Sequence, residues 1–186
     1  MITNKEKIVD YFMSGIKKPE RFKIGVEHEK FLFNRKDNKR LNYLEIKEMF
    51  IALKDYGWKP ILEDQNIIGL NKGEKNITLE PGNQIELSGE KLNNIHEACA
   101  ESQDYLLELK QVTKKLNIGI VSSGFDPISS LNETPNNPKK RYEIMTREMP
   151  SGGRLSLDMM YRTCGTQINL DYASEKDFIK KFKVVN

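Results

Sequence analysis

Three short segments of this 186-residue chain alternate between polar and apolar side chains, and this alternation limits its fold more than any other feature. The segments are residues 24–31, 84–88 and 167–171. Because successive side chains in a β-strand point to opposite faces, each segment predicts a strand with one apolar and one polar face. Strands of this kind build antiparallel sheets that pack one face on helices and leave the other face open.

The polar faces of the three predicted strands are rich in oxygen atoms. Their members are Glu27 and Glu29 in the first strand, Gln84, Glu86 and Ser88 in the second, and Gln167, Asn169 and Asp171 in the third. Two carboxylates about 4 Å apart repel by roughly 4 kcal/mol at an effective dielectric constant near 20. Oxygen ligands select hard cations such as Mg²⁺ or Mn²⁺, and substrate phosphates often complete such sites.

The alternation therefore predicts a magnesium-type site, and with it an enzyme that uses phosphate compounds. The alternative is that these acids lie on a solvated face, far enough apart to do no harm. That alternative suits any single pair of acids better, whereas three polar strands together favour a shared site.

The remaining pattern predicts a mixed α+β domain, because strands and helices do not alternate regularly along the chain. A capping box at Thr3 opens the first helix, and Cys99 is expected to be a small core residue of a long helix. Helices are predicted over residues 4–14, 43–56, 91–116 and 141–148 and from 174 onward, and strands over 21–33, 58–62, 66–70, 76–79, 84–88, 118–122 and 163–172. Residues 151–153 are interpreted as a flexible link, and residues 124–140 as a long loop.

Composition excludes several classes of function. A net charge of +3 without a long basic block disfavours nucleic-acid binding. No apolar run at the N-terminus resembles a secretory signal, and no segment has the length of a membrane-spanning helix. Two cysteines are too few for a disulfide framework or a structural zinc site, so a reducing, cytoplasmic location is predicted. Phosphate-loop and serine-hydrolase motifs are absent.

Six runs, in order along the chain, resemble glutamate–cysteine ligase of the plant and proteobacterial type. They are residues 24–31 (IGVEHEKF), 66–70 (NIIGL), 79–89 (LEPGNQIELSG), 141–145 (RYEIM), 157–164 (LDMMYRTC) and 167–171 (QINLD). The resemblance implies a glutamine-synthetase-like fold. It also implies an enzyme that uses ATP and Mg²⁺, or Mn²⁺, to phosphorylate the γ-carboxylate of glutamate. The amine of cysteine then forms γ-glutamylcysteine, the first step of glutathione synthesis.

The resemblance also implies roles for particular residues, with small molecules as the partners. The implied metal ligands are Glu27, Glu29, Glu80, Glu86 and Gln167, and the implied glutamate-binding residues are Arg141, Arg162 and Thr163. No residue is assigned to ATP binding, and no protein nucleophile is expected. Cys99 resembles a redox-regulated position of plant members, but its partner would lie outside this chain, so no regulation is predicted.

Family members are much longer than this chain. Residues 1–186 are therefore expected to be the N-terminal part of a single catalytic domain that is truncated at its C-terminus. Two alternatives stay open: a ligase that joins glutamate to a different amine, and a non-catalytic remnant that binds metal, an acidic metabolite or a partner protein through the same sheet.

Overall fold

The fold is an antiparallel sheet with helices packed against one face, in a computed structural model that describes residues 4–185. This agrees with the predicted α+β class. The strands within these residues are β1 (Ile24–Asn34), β2 (Lys59–Glu63), β3 (Asn66–Lys72), β4 (Lys75–Leu79), β5 (Ile85–Ser88), β6 (Ile118–Val121) and β7 (Thr166–Leu170). The α-helices are α1 (Lys5–Ser14), α2 (Tyr43–Leu53), α3 (Ile95–Lys115), α4 (Lys140–Glu148), α5 (Ser156–Arg162) and α6 (Glu175–Val185).

Strand β1 joins the other two polar strands, because it pairs with one of them along each edge. The sheet runs in the order β2-β3-β4-β5-β1-β6, and β7 also pairs with β1. Glu27 and His28 pair with both β5 and β7, so these two strands lie on opposite edges of β1. The second half of β1, residues 31–34, pairs with β6. The polar strands β5 and β7 therefore flank the polar strand β1.

Helix α2 supplies one side of the core because its apolar residues recur every three or four positions. Ile46, Met49, Phe50 and Leu53 are fully buried against apolar side chains of β3, β4 and β5. Burying each of these side chains contributes about 1.5–3 kcal/mol. The side chain of Asn42 fixes where the helix begins by accepting the N–H groups of its first turn.

Helix α3 supplies the rest of the helical layer, but the prediction for Cys99 is wrong. Ala98, Tyr105, Leu109 and Val112 form its inward stripe, whereas Cys99 is exposed. Since one residue advances an α-helix by about 100°, Cys99 is rotated away from the stripe that begins with Ala98.

Helix α5 was not predicted from the sequence; it lies between residues 151–153, interpreted as a flexible link, and the strand predicted over residues 163–172. Strand β7 begins only at Thr166, after that helix and a short connection. At the N-terminus, Asn4 caps α1 by accepting the N–H of Lys7, and the predicted cap Thr3 lies outside the described residues. None of the helices in residues 4–185 is long and apolar enough to cross a bilayer.

Candidate active site

Four of the predicted metal ligands share one face of the sheet. Glu29 lies directly opposite Glu86 in the β1–β5 pair, and Glu27 lies opposite both Ser88 of β5 and Gln167 of β7. Residues directly opposite each other on antiparallel strands project to the same side. Glu27, Glu29, Glu86 and Gln167 line a cleft of about 400 Å³, which we call the carboxylate cleft.

Glu80 lies at the edge of this cleft. It follows β4 in a turn, two residues after Thr78, and Thr78 pairs with Glu86. The Thr78 hydroxyl is 3.2 Å from Glu80 Oε1 and 3.3 Å from Glu86 Oε1, and it bridges the two carboxylates. The fifth predicted ligand is therefore close to the other four, although it arrives from a turn and not from a strand.

The carboxylates act on one another electrostatically. Burial raises the pKa of Glu29, and the charges of Glu80 and Glu27 raise it further, against a lowering effect of the Gly165 N–H. Burial also raises the pKa of Glu86, with added repulsion from Glu80, Glu27 and Glu29. The cleft thus concentrates negative charge that a cation would neutralise.

Polar neighbours orient these carboxylates. The Asn169 amide donates to Glu27 Oε1 at 2.9 Å, and the Gln167 amide donates to Asn169 at 3.2 Å. The Ser88 hydroxyl donates to Glu86 Oε1 at 3.0 Å. The period-two alternation places Asn169 and Ser88 on the polar face, so the sequence does contain the signal for both contacts.

Two residues of the site, Tyr142 and Lys139, were not predicted from the sequence. The Tyr142 hydroxyl donates to Glu80 Oε2 at 2.9 Å, and burial raises the pKa of Tyr142, so the hydroxyl stays protonated and can donate. Lys139 Nζ donates to the Leu79 carbonyl at 2.7 Å, and burial lowers the pKa of Lys139. No local pattern could signal the Tyr142–Glu80 contact, because 62 residues separate the partners.

The donor set fits a hard cation whose coordination is completed by substrate. The predicted ligands offer carboxylate and amide oxygens, which suit Mg²⁺ or Mn²⁺. Among residues 4–185, no group of three His, Cys, Asp or Glu side chains meets closely enough to surround one ion. Magnesium is commonly held by only one or two carboxylates together with substrate phosphates. The cleft therefore suits a shared metal–phosphate site better than an all-protein cage.

The predicted glutamate-binding residues make other contacts in this structure. Arg162 forms an ion pair with Asp158 at 2.8 Å, and its guanidinium lies 4.4 Å from the centre of the Phe125 ring. Arg141 is exposed, and Thr163 accepts a hydrogen bond through its backbone carbonyl. None of these three is among the described residues that line the carboxylate cleft, and their role in binding glutamate stays a prediction.

Two residues expected on the polar face lie elsewhere. Gln84 is buried and donates to the Thr163 carbonyl at 3.0 Å, because β5 begins only at Ile85. Asp171 follows the end of β7 and forms an ion pair with Lys17 at 2.6 Å. The alternation of side chains between two faces holds only within a strand. Gln84 precedes β5 and Asp171 follows β7, so neither side chain needs to lie on the polar face of the sheet.

Comparison with known proteins agrees with the resemblance. The model of glutamate-cysteine ligase family 2 matches residues 23–186. Chloroplastic glutamate–cysteine ligases of Nicotiana tabacum and Arabidopsis thaliana are 44% and 41% identical to the chain over 180 residues, and ligase A of Oryza sativa subsp. indica is 45% identical over 179. Each match covers 96% of this chain but only 34–36% of the relative, so the chain spans about a third of the length of these curated relatives.

The prediction of a cytoplasmic location is wrong, because these relatives are named as chloroplastic. A low cysteine count and an N-terminus without an apolar run fit any reducing compartment equally well, so they could not support that choice. The assignment of this chain to a family rests on a match across most of its length. On that match, this chain belongs to glutamate-cysteine ligase family 2, a family of enzymes.

Proposed function

We propose that residues 4–185 form the carboxylate side of the active site of an ATP- and Mg²⁺-dependent glutamate–cysteine ligase. The observation that carries this proposal is the carboxylate cleft, where acids from the neighbouring strands β1 and β5 repel one another. Repulsion of this kind lowers stability, and perturbed carboxylates gathered in a cleft are typical of functional sites. A glutamine-synthetase-like fold is part of the proposal, and the antiparallel sheet with helices on one face supports it.

The proposed reaction has two steps. The γ-carboxylate of glutamate takes the terminal phosphoryl group of ATP, which releases ADP and forms γ-glutamyl phosphate. The amine of cysteine then attacks this acyl phosphate, so an amide bond forms and phosphate leaves. Phosphoryl transfer depends on positioning and charge stabilisation more than on a protein nucleophile, which agrees with a site built from metal-binding oxygens.

Each residue of the cleft has a proposed task. Glu29 and Glu86, which face each other on β1 and β5, would hold a divalent cation together with Glu27, Glu80 and Gln167. When bound, the cation neutralises the phosphate charges of ATP and orients them for transfer. Asn169 and Ser88 hold the carboxylates in position through hydrogen bonds. Cysteine as the acceptor rests on the names of the relatives, and ATP-binding residues are not assigned.

The test is Mn²⁺ binding by the chain, measured by electron paramagnetic resonance and repeated for Mg²⁺ with ATP by calorimetry. The variant carries Glu27→Gln together with Glu86→Gln, and the matched control carries Glu20→Gln together with Glu48→Gln, two exposed acids outside the cleft. Loss of a residue that merely supports a ligand typically weakens metal binding about 10–100-fold, so loss of two ligands is expected to cost at least about 100-fold. The control should bind like the parent.

Two results would overturn the metal site: no Mn²⁺ binding by the parent chain, or a loss of Mn²⁺ affinity in the control equal to that in the variant.

Ligation is measured separately by incubating the protein with ATP, Mg²⁺, glutamate and cysteine, and by quantifying γ-glutamylcysteine. Because the chain spans about a third of its relatives, we propose that it catalyses little by itself. Turnover at the rate of a full-length relative would contradict this part of the proposal.

A further inference from the structure

Glu80 differs from the other acids of the cleft in how its side chain is held. It lies outside the strands, and two hydroxyl groups contact its carboxylate from opposite ends. The Thr78 hydroxyl contacts Oε1 at 3.2 Å, and the Tyr142 hydroxyl donates to Oε2 at 2.9 Å. Thr78 also contacts Glu86, so its single proton is shared between two acceptors. Tyr142 therefore makes the shorter contact with Glu80, and unlike Thr78 it does not share its proton with Glu86.

The surroundings of Tyr142 direct its proton to Glu80. Its hydroxyl has two nearby acceptors, the Leu79 carbonyl at 3.1 Å and the Glu80 carboxylate at 2.9 Å. Lys139 Nζ already donates to that carbonyl at 2.7 Å and also lies 3.4 Å from the Tyr142 oxygen. Since a hydrogen bond to a charged acceptor is about twice as strong as one to a neutral acceptor, the carboxylate is the favoured partner.

The position of Tyr142 is fixed by contacts on both sides. Its side chain is buried, and the Lys139 ammonium group lies 4.9 Å from the centre of its ring. Just before helix α4, the Asn137 amide donates to the carbonyls of Glu80 at 2.9 Å and Pro81 at 3.1 Å. The helix that carries Tyr142 is thereby tied to the same turn that carries Glu80.

We propose that Tyr142 is a positioning residue that orients the Glu80 carboxylate for metal binding, with Lys139 holding the tyrosine hydroxyl in place. This inference rests on the proposed function, because it takes Glu80 to be a metal ligand. Outer partners of metal ligands fix the geometry of the ligand and the affinity of the site. Helix α4 thereby contributes to the carboxylate cleft although none of its side chains is among the described residues that line it.

The test compares Tyr142→Phe with Tyr161→Phe. Tyr161 is also buried, but its hydroxyl pairs with Thr146 at 2.6 Å and not with a carboxylate. Mn²⁺ affinity is measured by electron paramagnetic resonance, and urea denaturation verifies that each variant folds. We expect Tyr142→Phe to weaken Mn²⁺ binding about tenfold, while Tyr161→Phe changes it less than about twofold.

A double-mutant cycle separates positioning from a general structural role. If Tyr142 acts through Glu80, the effect of Tyr142→Phe disappears in a Glu80→Gln background. The inference is overturned while the proposed function stands if the parent binds Mn²⁺ and Tyr142→Phe binds equally well. The inference is also overturned if Tyr142→Phe still weakens Mn²⁺ binding in the Glu80→Gln background. A parent chain that binds no Mn²⁺ overturns both.

Discussion

Replacing Glu86 by glutamine is expected to stabilise the metal-free protein, because it removes one charge of the Glu29–Glu86 pair. Opposite residues in an antiparallel sheet have Cβ atoms about 4.5–5.5 Å apart. Two unit charges about 5 Å apart repel by about 3 kcal/mol at a dielectric constant near 20 and by about 1 kcal/mol in bulk water. Both side chains are half-buried, so we expect a gain of about 1–3 kcal/mol in the free energy of unfolding.

The assay is urea denaturation at about pH 8 with a chelator, repeated at about pH 4 and with saturating Mn²⁺. The pKa of Glu86 is raised in the folded state, so the folded protein binds more protons than the unfolded chain between the ordinary and the raised pKa. Stability therefore falls as pH rises through this window, and the gain from Glu86→Gln should fade in acid. Mn²⁺ should reverse the sign, because the parent then gains binding energy that the variant loses.

Glu48→Gln is the matched control, since Glu48 is exposed on α2 outside the cleft. It should change stability by no more than about 0.5 kcal/mol under every condition. The argument fails if Glu86→Gln destabilises the metal-free protein at about pH 8. It also fails if the variant gains as much stability in acid as at high pH.

Two further predictions concern parts of the fold that support the cleft. Asp126→Asn should cost about 3–5 kcal/mol in urea denaturation, because it leaves the buried Arg40 guanidinium without its counter-charge. Burial opposes the ionised form of Asp126, but backbone N–H groups and Arg40 outweigh it and lower its pKa, so this cost should shrink as the pH falls through that lowered pKa. Asn42→Ala should cost about 1 kcal/mol by removing the cap of α2, measured as a lower midpoint of thermal unfolding, and an unchanged midpoint would contradict this role.

The sequence predicted the strands of the site better than the contacts between them. Alternation identified Glu27 and Glu29 on β1 and Glu86 on β5, because burial of one face imposes a period of two. It could not give the register that sets Glu29 opposite Glu86, since register depends on pairing between segments far apart in the chain. Family resemblance added Glu80, which lies in a turn where alternation carries no information.

The elements that the sequence missed have weak or non-local signals. Helix α5 has seven residues, follows Gly153 and lacks a side-chain cap, so its sequence resembles a linker. The buried Arg40–Asp126 pair joins positions 86 residues apart. Asp126 does accept the N–H groups of Ile128 and Ser129, a local pattern typical of aspartate in turns, but this pattern does not reveal the distant arginine.

The turn between β4 and β5 explains how the fold tolerates the repulsion in the cleft. Arg40 donates to the carbonyl of Gly82, the Asn137 amide donates to the carbonyl of Glu80, and the Asn83 amide donates to a carbonyl just before α2. Two separate segments, residues 40–41 and Asn137, thus fix the backbone that carries Glu80, independently of any ligand. Acids that repel one another lower stability, and these hydrogen bonds offset part of that cost by holding the turn in place. Weakening the Arg40 contact should therefore release Glu80 from the cleft and lower metal affinity together with stability.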